Sequence, residues 1–142
     1  MQSNVKFYSK GTRRQCKVTN NLHREDETAI KDINGDIHWH KNGLRHREGG
    51  PAIERANGDK SWYKNGKLHR EGGPAIEWVN GYKAWYKNNK LHREGSPAIE
   101  CSDGQKKWYK NDLSHREDGP AIEFASGEKA WWLNGKRYGI DN

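Results

Sequence analysis

The sequence predicts an all-β protein, an elongated and twisted antiparallel array of about six stacked β-hairpin repeats. Three observations predict this fold: a 23-residue period, two turn signals in each period, and alternation of apolar and polar residues between the turns. The chain has 142 residues, enough for one domain. We therefore expect a single repeat domain over 1–142, with a degenerate N-terminal capping hairpin over 1–22, main repeats over 23–130 and a C-terminal cap over 131–142.

The period is carried by a tryptophan, a His-Arg-Glu triplet, a Pro and an Ala-Ile pair. The tryptophans are Trp39, Trp62, Trp85, Trp108 and Trp131, and the triplets begin at His23, His46, His69, His92 and His115. Self-similarity at a fixed period is typical of repeat proteins, in which each unit buries its apolar face against its neighbours.

Each repeat contains two short turn signals. The first set is Asn34-Gly35, Asn57-Gly58, Asn80-Gly81, Asp103-Gly104 and Ser126-Gly127, and the second is Asn42-Gly43, Asn65-Gly66, Asn88-Asn89, Asn111-Asp112 and Asn134-Gly135. Asn-Gly favours a two-residue type I′ turn, in which both residues have positive φ. Two-residue turns throughout predict that Ile76 lies opposite Trp85 and that Trp62 lies opposite His69.

The Gly-Gly-Pro or Asp-Gly-Pro step that follows most triplets predicts a bend, since glycine and proline inside a strand mark bulges or sharp changes of direction. The two ends of the chain are drifted copies of the repeat, as expected of caps. A turn at Gly11-Thr12 would set Phe7 opposite Cys16. At the other end Tyr138 takes the histidine position, and no proline follows it.

The composition limits the kind of core. Hydrophobic residues make up 31% of the chain, against about 45–50% for globular domains, a range that also counts glycine. There are seven Trp and six Tyr, whereas disordered segments are poor in aromatic residues. We therefore expect a thin aromatic core that includes Trp62, Trp85 and Trp108.

Several classes of protein are disfavoured. The two cysteines provide neither a metal site nor a disulfide framework, and equivalent histidines would lie about 10 Å apart, too far to share an ion. No secretory signal or apolar span of about 20 residues is present. A repeat supplies the same groups in every copy, whereas catalysis needs one asymmetric constellation. We expect no enzyme, no metal, no cofactor and a cytoplasmic location, that of the host cell if the protein is viral.

The stretch from Tyr63 to His69, followed by Gly72, resembles the MORN (membrane occupation and recognition nexus) repeat. It is most similar to the variant repeats of phages and large viruses, which are rich in His-Arg-Glu-Asp-Gly-Pro-Ala. The resemblance covers roughly residues 16–138, but Arg70 and Ala84 stand where MORN repeats usually carry glycine. It implies antiparallel β structure used for contacts with proteins, for dimerisation or for contact with lipid, and the departures count most against lipid.

Charge separates two functional hypotheses. The net charge is +7, of which +5 comes from Lys6, Lys10, Arg13, Arg14 and Lys17, so the remaining array is nearly neutral. A neutral array favours a protein partner, because a nucleic-acid binder carries its charge where it binds.

The resemblance implies a phage-encoded inhibitor or sequestering protein that acts on a host defence factor. Aromatic and Arg side chains dominate interface hot spots, which gives these partner-binding candidates: Trp78, Trp132, Arg47, Arg70, Arg93 and Arg116. The arginines could instead form an ion-pair ladder with glutamates. The alternative function is binding of nucleic acid or nucleotide through the five basic residues of 1–22 and the Arg and Trp rows. A homo-oligomer through edge strands is a further possibility.

Overall fold

The structure is a computed structural model that describes residues 4–10, 13–19 and 27–141, with side chains over 29–139. The described residues form strands and turns and contain no helix. The chain divides into two compact units, Met1–Lys67 and Leu68–Asn142. The strands are β1 (Asn4–Lys10), β2 (Arg13–Thr19), β3 (Glu27–Lys31), β4 (Ile37–Lys41), β5 (Leu44–Arg45), β6 (Ile53–Glu54), β7 (Lys60–Ser61), β8 (Tyr63–Lys64), β9 (Lys67–Leu68), β10 (Ile76–Glu77), β11 (Lys83–Ala84), β12 (Tyr86–Lys87), β13 (Lys90–Leu91), β14 (Ile99–Glu100), β15 (Lys106–Lys107), β16 (Tyr109–Lys110), β17 (Leu113–Ser114), β18 (Ile122–Glu123), β19 (Lys129–Leu133) and β20 (Lys136–Asp141).

In the first unit the strands pair antiparallel in the order β1, β2, β3, β4, β6 and β7, and β5 also pairs with β4. The predicted pairing of Phe7 with Cys16 is confirmed. The Gly11-Thr12 turn that was expected to set this pairing lies outside the described residues. The prediction of antiparallel hairpins is therefore confirmed here.

The second unit repeats one pattern. Its main ladder runs β10, β11, β14, β15, β18, β19 and β20, again antiparallel, while β12–β13 and β16–β17 form separate two-stranded ladders. Residues 83–87 contribute β11 to the main ladder and β12 to a two-stranded ladder. The Trp85 N–H donates to the Ala98 carbonyl of the next copy at 2.8 Å, so the main ladder joins successive repeats.

The second set of turns is as predicted. Both central residues have positive φ in each, with φ of 49° and 66° at Asn88 and Asn89. Tyr86 pairs with Leu91, and the His92 N–H donates to the Trp85 carbonyl at 3.1 Å. The tryptophan therefore lies opposite the histidine of its own copy, as the two-residue register requires.

The first set of turns is not as predicted. Ile76 pairs with Ala84 and not with Trp85. Trp78 N–H donates to the Tyr82 carbonyl at 2.9 Å and Gly81 N–H to the Trp78 carbonyl at 3.0 Å, so the loop has three residues. Gly81 has φ of 94°, whereas Asn80 is not among the residues with positive φ. This is a type I turn followed by a glycine in the left-handed region, the usual three-residue hairpin loop.

The physical reason for this correction lies in the asparagine side chain. Asn80 Oδ1 accepts the Tyr82 N–H at 2.9 Å, an Asx contact that favours φ below zero at the asparagine and leaves positive φ to the glycine. Side chains alternate between the two faces of a strand, so the single extra loop residue places Trp85 on the face opposite to that of Ile76.

The core also differs from the prediction. Its most buried residues are five alanines, all with 0% exposure. Ala52, Ala75, Ala98 and Ala121 occupy the same repeat position, which we call the alanine column, and Ala84 pairs with Ile76 on the other face. Of the predicted core tryptophans, Trp108 is buried at 9% exposure, and Trp62 and Trp85 are half-buried. The Trp108 N–H donates to the Ala121 carbonyl at 2.8 Å. A small side chain at this position leaves space for the indole across the ladder.

We expect Gly81→Ala to lower the free energy of unfolding by about 1–2 kcal/mol, because an L side chain is strained in the left-handed region. The nearest atom to an added Cβ is Ser102 Cβ at 3.7 Å, so crowding does not contribute. Urea denaturation measures the change. Ser102→Ala, at an exposed turn position without positive φ, is the control and should change stability by less than about 0.5 kcal/mol. Equal effects of the two substitutions would exclude the three-residue loop.

Candidate partner-binding surface

Each predicted partner-binding arginine is held in a network within its own repeat. Arg93 Nη1 donates to the Pro97 carbonyl and to Glu100 Oε1, both at 2.9 Å. Its guanidinium carbon lies 3.8 Å from the centroid of the Trp85 ring. The side chain therefore joins the bend and the strand after it to the tryptophan, which lies between β11 and β12.

The other three arginines repeat these contacts. Arg47, Arg70 and Arg116 donate to Glu54, Glu77 and Glu123 at 2.6, 2.7 and 3.1 Å respectively. The prolines that they bind are Pro51, Pro74 and Pro120. The four guanidinium groups thus form the intramolecular ladder that the sequence left as an alternative. The side chains retain 22–31% exposure.

In three of the repeats the glycine before the proline lies directly against the arginine side chain. A Cβ added to Gly73 would lie 2.8 Å from Arg70 Cζ, and one added to Gly119 would lie 2.9 Å from Arg116 Cζ. The guanidinium therefore lies flat on the glycine backbone. The close approach favours glycine before proline in these copies, whereas Ser96 takes the same position before Pro97.

The histidines connect one repeat to the next. His46 Nδ1 accepts the Asn65 N–H at 3.0 Å, and His46 Nε2 lies 2.9 Å from Glu48 Oε1. An accepting Nδ1 leaves Nε2 as the protonated nitrogen, so Nε2–H donates to the glutamate. We call this pair of contacts the inter-repeat histidine bridge. It recurs at His69, His92 and His115 with the N–H groups of Asn88, Asn111 and Asn134.

The bridge is a structural role for the row of histidines. The Asn65 N–H lies in a type I′ turn, and its acceptor is the histidine of the preceding copy. His46 itself is 3% exposed. Its hydrogen bond lowers the pKa of Glu48, against a smaller opposing effect of burial.

A shallow cleft lies between two copies in the second unit. Its volume is about 370 Å³, and it is lined by Trp108 at its base and by Glu94, Lys110, Glu117 and Asp118 among the charged groups. Arg116 Nε donates to Asp118 Oδ1 at 2.9 Å and lowers the pKa of that carboxyl. The cleft holds no nucleophile beside a general base, because its one histidine, His115, is engaged in the bridge.

The two predicted tryptophan anchors differ. Trp78 is 44% exposed and packs against Tyr82, with ring centroids 4.5 Å apart. Val79 beside it is 67% exposed. Trp132 is half-buried, and its Nε1 is buried without a hydrogen-bond partner among the described residues. Trp78 therefore has the exposure of an anchor, whereas Trp132 is partly covered.

The five basic residues of the N-terminal segment are brought together on one hairpin. The register of β1 and β2 sets Lys6 opposite Lys17 and Lys10 opposite Arg13. Like charges directly opposite each other destabilise a ladder.

Sequence reasoning did not identify one cluster in the first unit. Asp32, Asp36 and His38 each offer a ligand atom, and these atoms lie within 4.8 Å of one another. However, Asp32 Oδ1 accepts the Asn34 and Asp36 N–H groups, and Asp36 Oδ1 accepts the Ala56 N–H. The carboxylates already serve as acceptors for the turn, which is a sufficient reason for their positions.

No family model and no curated protein matches this chain. Within the part of the chain that the structure describes, no helix is long and apolar enough to cross a membrane.

The histidine bridge predicts graded effects of substitution. His46→Ala leaves the Asn65 N–H without its acceptor, and we expect a loss of about 1–3 kcal/mol in the free energy of unfolding. His46→Asn provides an oxygen near the position of Nδ1 and should restore part of the loss. Glu48→Gln, which keeps an acceptor for Nε2–H, is the control with a small effect. Equal losses for the alanine and asparagine variants in urea denaturation would show that the bridge does not carry the effect.

A second prediction concerns His40, whose pKa is lowered by burial first and then by Arg45, which lies directly opposite on β5, and by His38. Since the unfolded state binds the proton first, stability falls as the pH falls below about 6.5. We expect His40→Gln to make this loss between pH 7 and pH 5 smaller. Parallel urea denaturation of the wild type and the variant at both pH values measures it, and an unchanged pH dependence would contradict it.

Proposed function

We propose that this protein is a non-enzymatic scaffold that binds a protein partner. The observation that carries the proposal is an exposed aromatic surface at the hairpin loop of Trp78, which we call the Trp78 edge. There a tryptophan with 44% exposure packs on Tyr82 beside an exposed Val79. An aromatic side chain held by a neighbour offers a large contact area at a small entropic cost, as in hot spots. The arginine row lies in the same repeats and keeps about a quarter of its side-chain surface accessible.

The non-enzymatic part of the proposal rests on how the polar groups are used. The arginines, histidines and their glutamates contact one another or the backbone in every described copy. Catalysis needs a nucleophile or base poised toward a substrate, and groups already committed to such bonds are poor candidates for it.

The resemblance to MORN-like repeats of phages and large viruses supports a finer proposal. On this view the chain is a phage-encoded protein that inhibits or sequesters a host defence factor in the host cytoplasm. The repeated hairpins agree with the general architecture that the resemblance implies, and the proposal of a protein partner agrees with its use in protein contacts.

A specific observation favours a second candidate, binding of nucleic acid. The hairpin of β1 and β2 sets Lys6 opposite Lys17 and Lys10 opposite Arg13. Such an arrangement is suited to a phosphate backbone, from which bound cations release counterions. We place it second because the five basic residues lie together on this one hairpin, while the array beyond residue 22 is nearly neutral.

The first test is capture of a partner from an extract of the natural host, identified by mass spectrometry. We expect Trp78→Ala to reduce capture at least tenfold, since truncation of a hot spot costs at least about 2 kcal/mol. Tyr138→Ala removes another exposed aromatic side chain and is the matched control. Capture that is equally strong with both variants would show that the Trp78 edge is not the interface.

The second test separates protein binding from nucleic-acid binding. A mobility-shift assay with DNA and RNA, single- and double-stranded, compares the wild type with a variant in which the five basic residues of 1–22 are neutralised. We expect weak binding by both proteins at physiological salt. Sub-micromolar binding by the wild type that falls steeply with salt and is lost in the variant would reverse the order of the two candidates.

A further inference from the structure

One face of the main ladder in the second unit carries alternating acidic and basic residues. Glu77 pairs with Lys83, and Lys83 pairs on its other side with Glu100. The series continues through Lys106 and Glu123 to Lys129, which pairs on its other side with Asp141 of β20. Directly paired residues share a face, so these seven residues form one row of alternating charge across the strands.

The glutamates of this row are neutralised by arginine. Arg70, Arg93 and Arg116 contact Glu77, Glu100 and Glu123 at 2.7, 2.9 and 3.1 Å. An arginine fork with a carboxylate is a stronger and better defined pair than a flexible lysine can make. The carboxylates are therefore already committed when a lysine lies beside them.

The lysines remain available. Lys83, Lys106 and Lys129 are exposed, and among the side chains of residues 29–139 none of their ammonium groups forms an ion pair. With Asp141 opposite Lys129, three arginines, three lysines, three glutamates and one aspartate give this row a charge of +2, although the array as a whole is close to neutral. The sequence suggested the arginines as contacts of a partner. Because the arginines pair with the glutamates, the lysines are the cations that remain accessible to a partner.

We propose that this face, which we call the lysine face (Lys83, Lys106 and Lys129), binds an acidic segment of a protein partner, a proposal that rests on the protein-binding function above. A second copy of the chain would present the same excess of positive charge and would be repelled. Duplex DNA carries one charge per about 1.7 Å and would bring phosphates onto the intervening glutamates. Separate carboxylates can instead contact the lysines and avoid the glutamates.

The spacing of the lysines defines the segment. β11, β15 and β19 alternate with the strands β14 and β18, so neighbouring lysines are two strand spacings apart, about 10 Å. A peptide in the polyproline II conformation advances about 3.1 Å per residue with three residues per turn, so every third side chain lies on one face, about 9 Å apart. A segment that crosses the strands with an acidic residue at every third position therefore matches the row.

The test uses purified full-length protein and two synthetic 12-residue peptides of identical composition. One has glutamate at every third position, and the other has the same four glutamates in one block. The protein variants are K83Q/K106Q/K129Q and the matched control K87Q/K90Q/K110Q, which removes equal charge from exposed lysines of β12, β13 and β16. Circular dichroism and the urea midpoint establish that both variants are folded.

We expect the spaced peptide to bind wild type more tightly than the blocked peptide at low salt. The triple change on the lysine face should weaken binding about tenfold, which corresponds to about 1.4 kcal/mol and is reasonable for three exposed ion pairs together. The control triple should weaken it by less than threefold.

Three results would overturn the proposal. They are equal binding of the two peptides, equal loss in the two triple variants, and tighter binding of an oligonucleotide of matched charge that is lost with the lysine face, which would assign the face to nucleic acid. The outcome is separate from that of the capture experiment, because loss at Trp78→Ala with no effect of the lysine triple would leave the protein-binding function intact and reject only the acidic segment.

Discussion

The arginine of the His-Arg-Glu triplet makes the contacts on which the rest of each repeat depends. A chain with 31% hydrophobic residues cannot surround every strand with apolar side chains. In its place the guanidinium of Arg93 lies 3.8 Å from the Trp85 ring centroid and binds both the Pro97 carbonyl and Glu100. One side chain thereby covers the aromatic ring, fixes the bend and neutralises a carboxylate. Packing of a cation on an indole is worth most where water is partly excluded, as it is at these half-buried sites.

Much of the fold could be predicted from the sequence because turn chemistry is local. Asn88 and Asn89 require positive φ at two successive residues, and the structure has this conformation. The pairing of Phe7 with Cys16 followed from the same logic. The prediction failed at Asn80-Gly81, where the asparagine side chain bonds to the Tyr82 N–H and adds a third loop residue. Asn-Gly is compatible with both loops, and the difference between them depends on a side-chain contact.

The candidate sites were less predictable than the fold. The bridge from His46 to Asn65 joins residues 19 positions apart, and its donor is a backbone amide that has no signature in the sequence. The alanine column was likewise given too little weight, since alanine contributes little apolar area although Ala98 and Ala121 are fully buried. A signal was present for the lysine face, because Glu and Lys recur six residues apart in four successive copies, for example at Glu77 and Lys83. That these residues share one face could be inferred only from the strand register, which the three-residue loop determines.

The contacts that stabilise each repeat also determine which groups remain for the proposed partner. Since each repeat uses its arginine and its histidine to hold itself and its neighbour, the groups left for a partner are those that these contacts do not consume. They are an aromatic edge at Trp78 and the lysines beside neutralised glutamates. The lysines recur every two strands, at about 10 Å, whereas the positions equivalent to Trp78 are Arg55, Cys101 and Phe124. Under the proposed function a partner would gain affinity by matching the spacing of the lysines and not by filling one pocket. If the proposed function holds, such a scaffold would select partners by the spacing of their charged groups, because any single exposed ion pair contributes little and several in register contribute together.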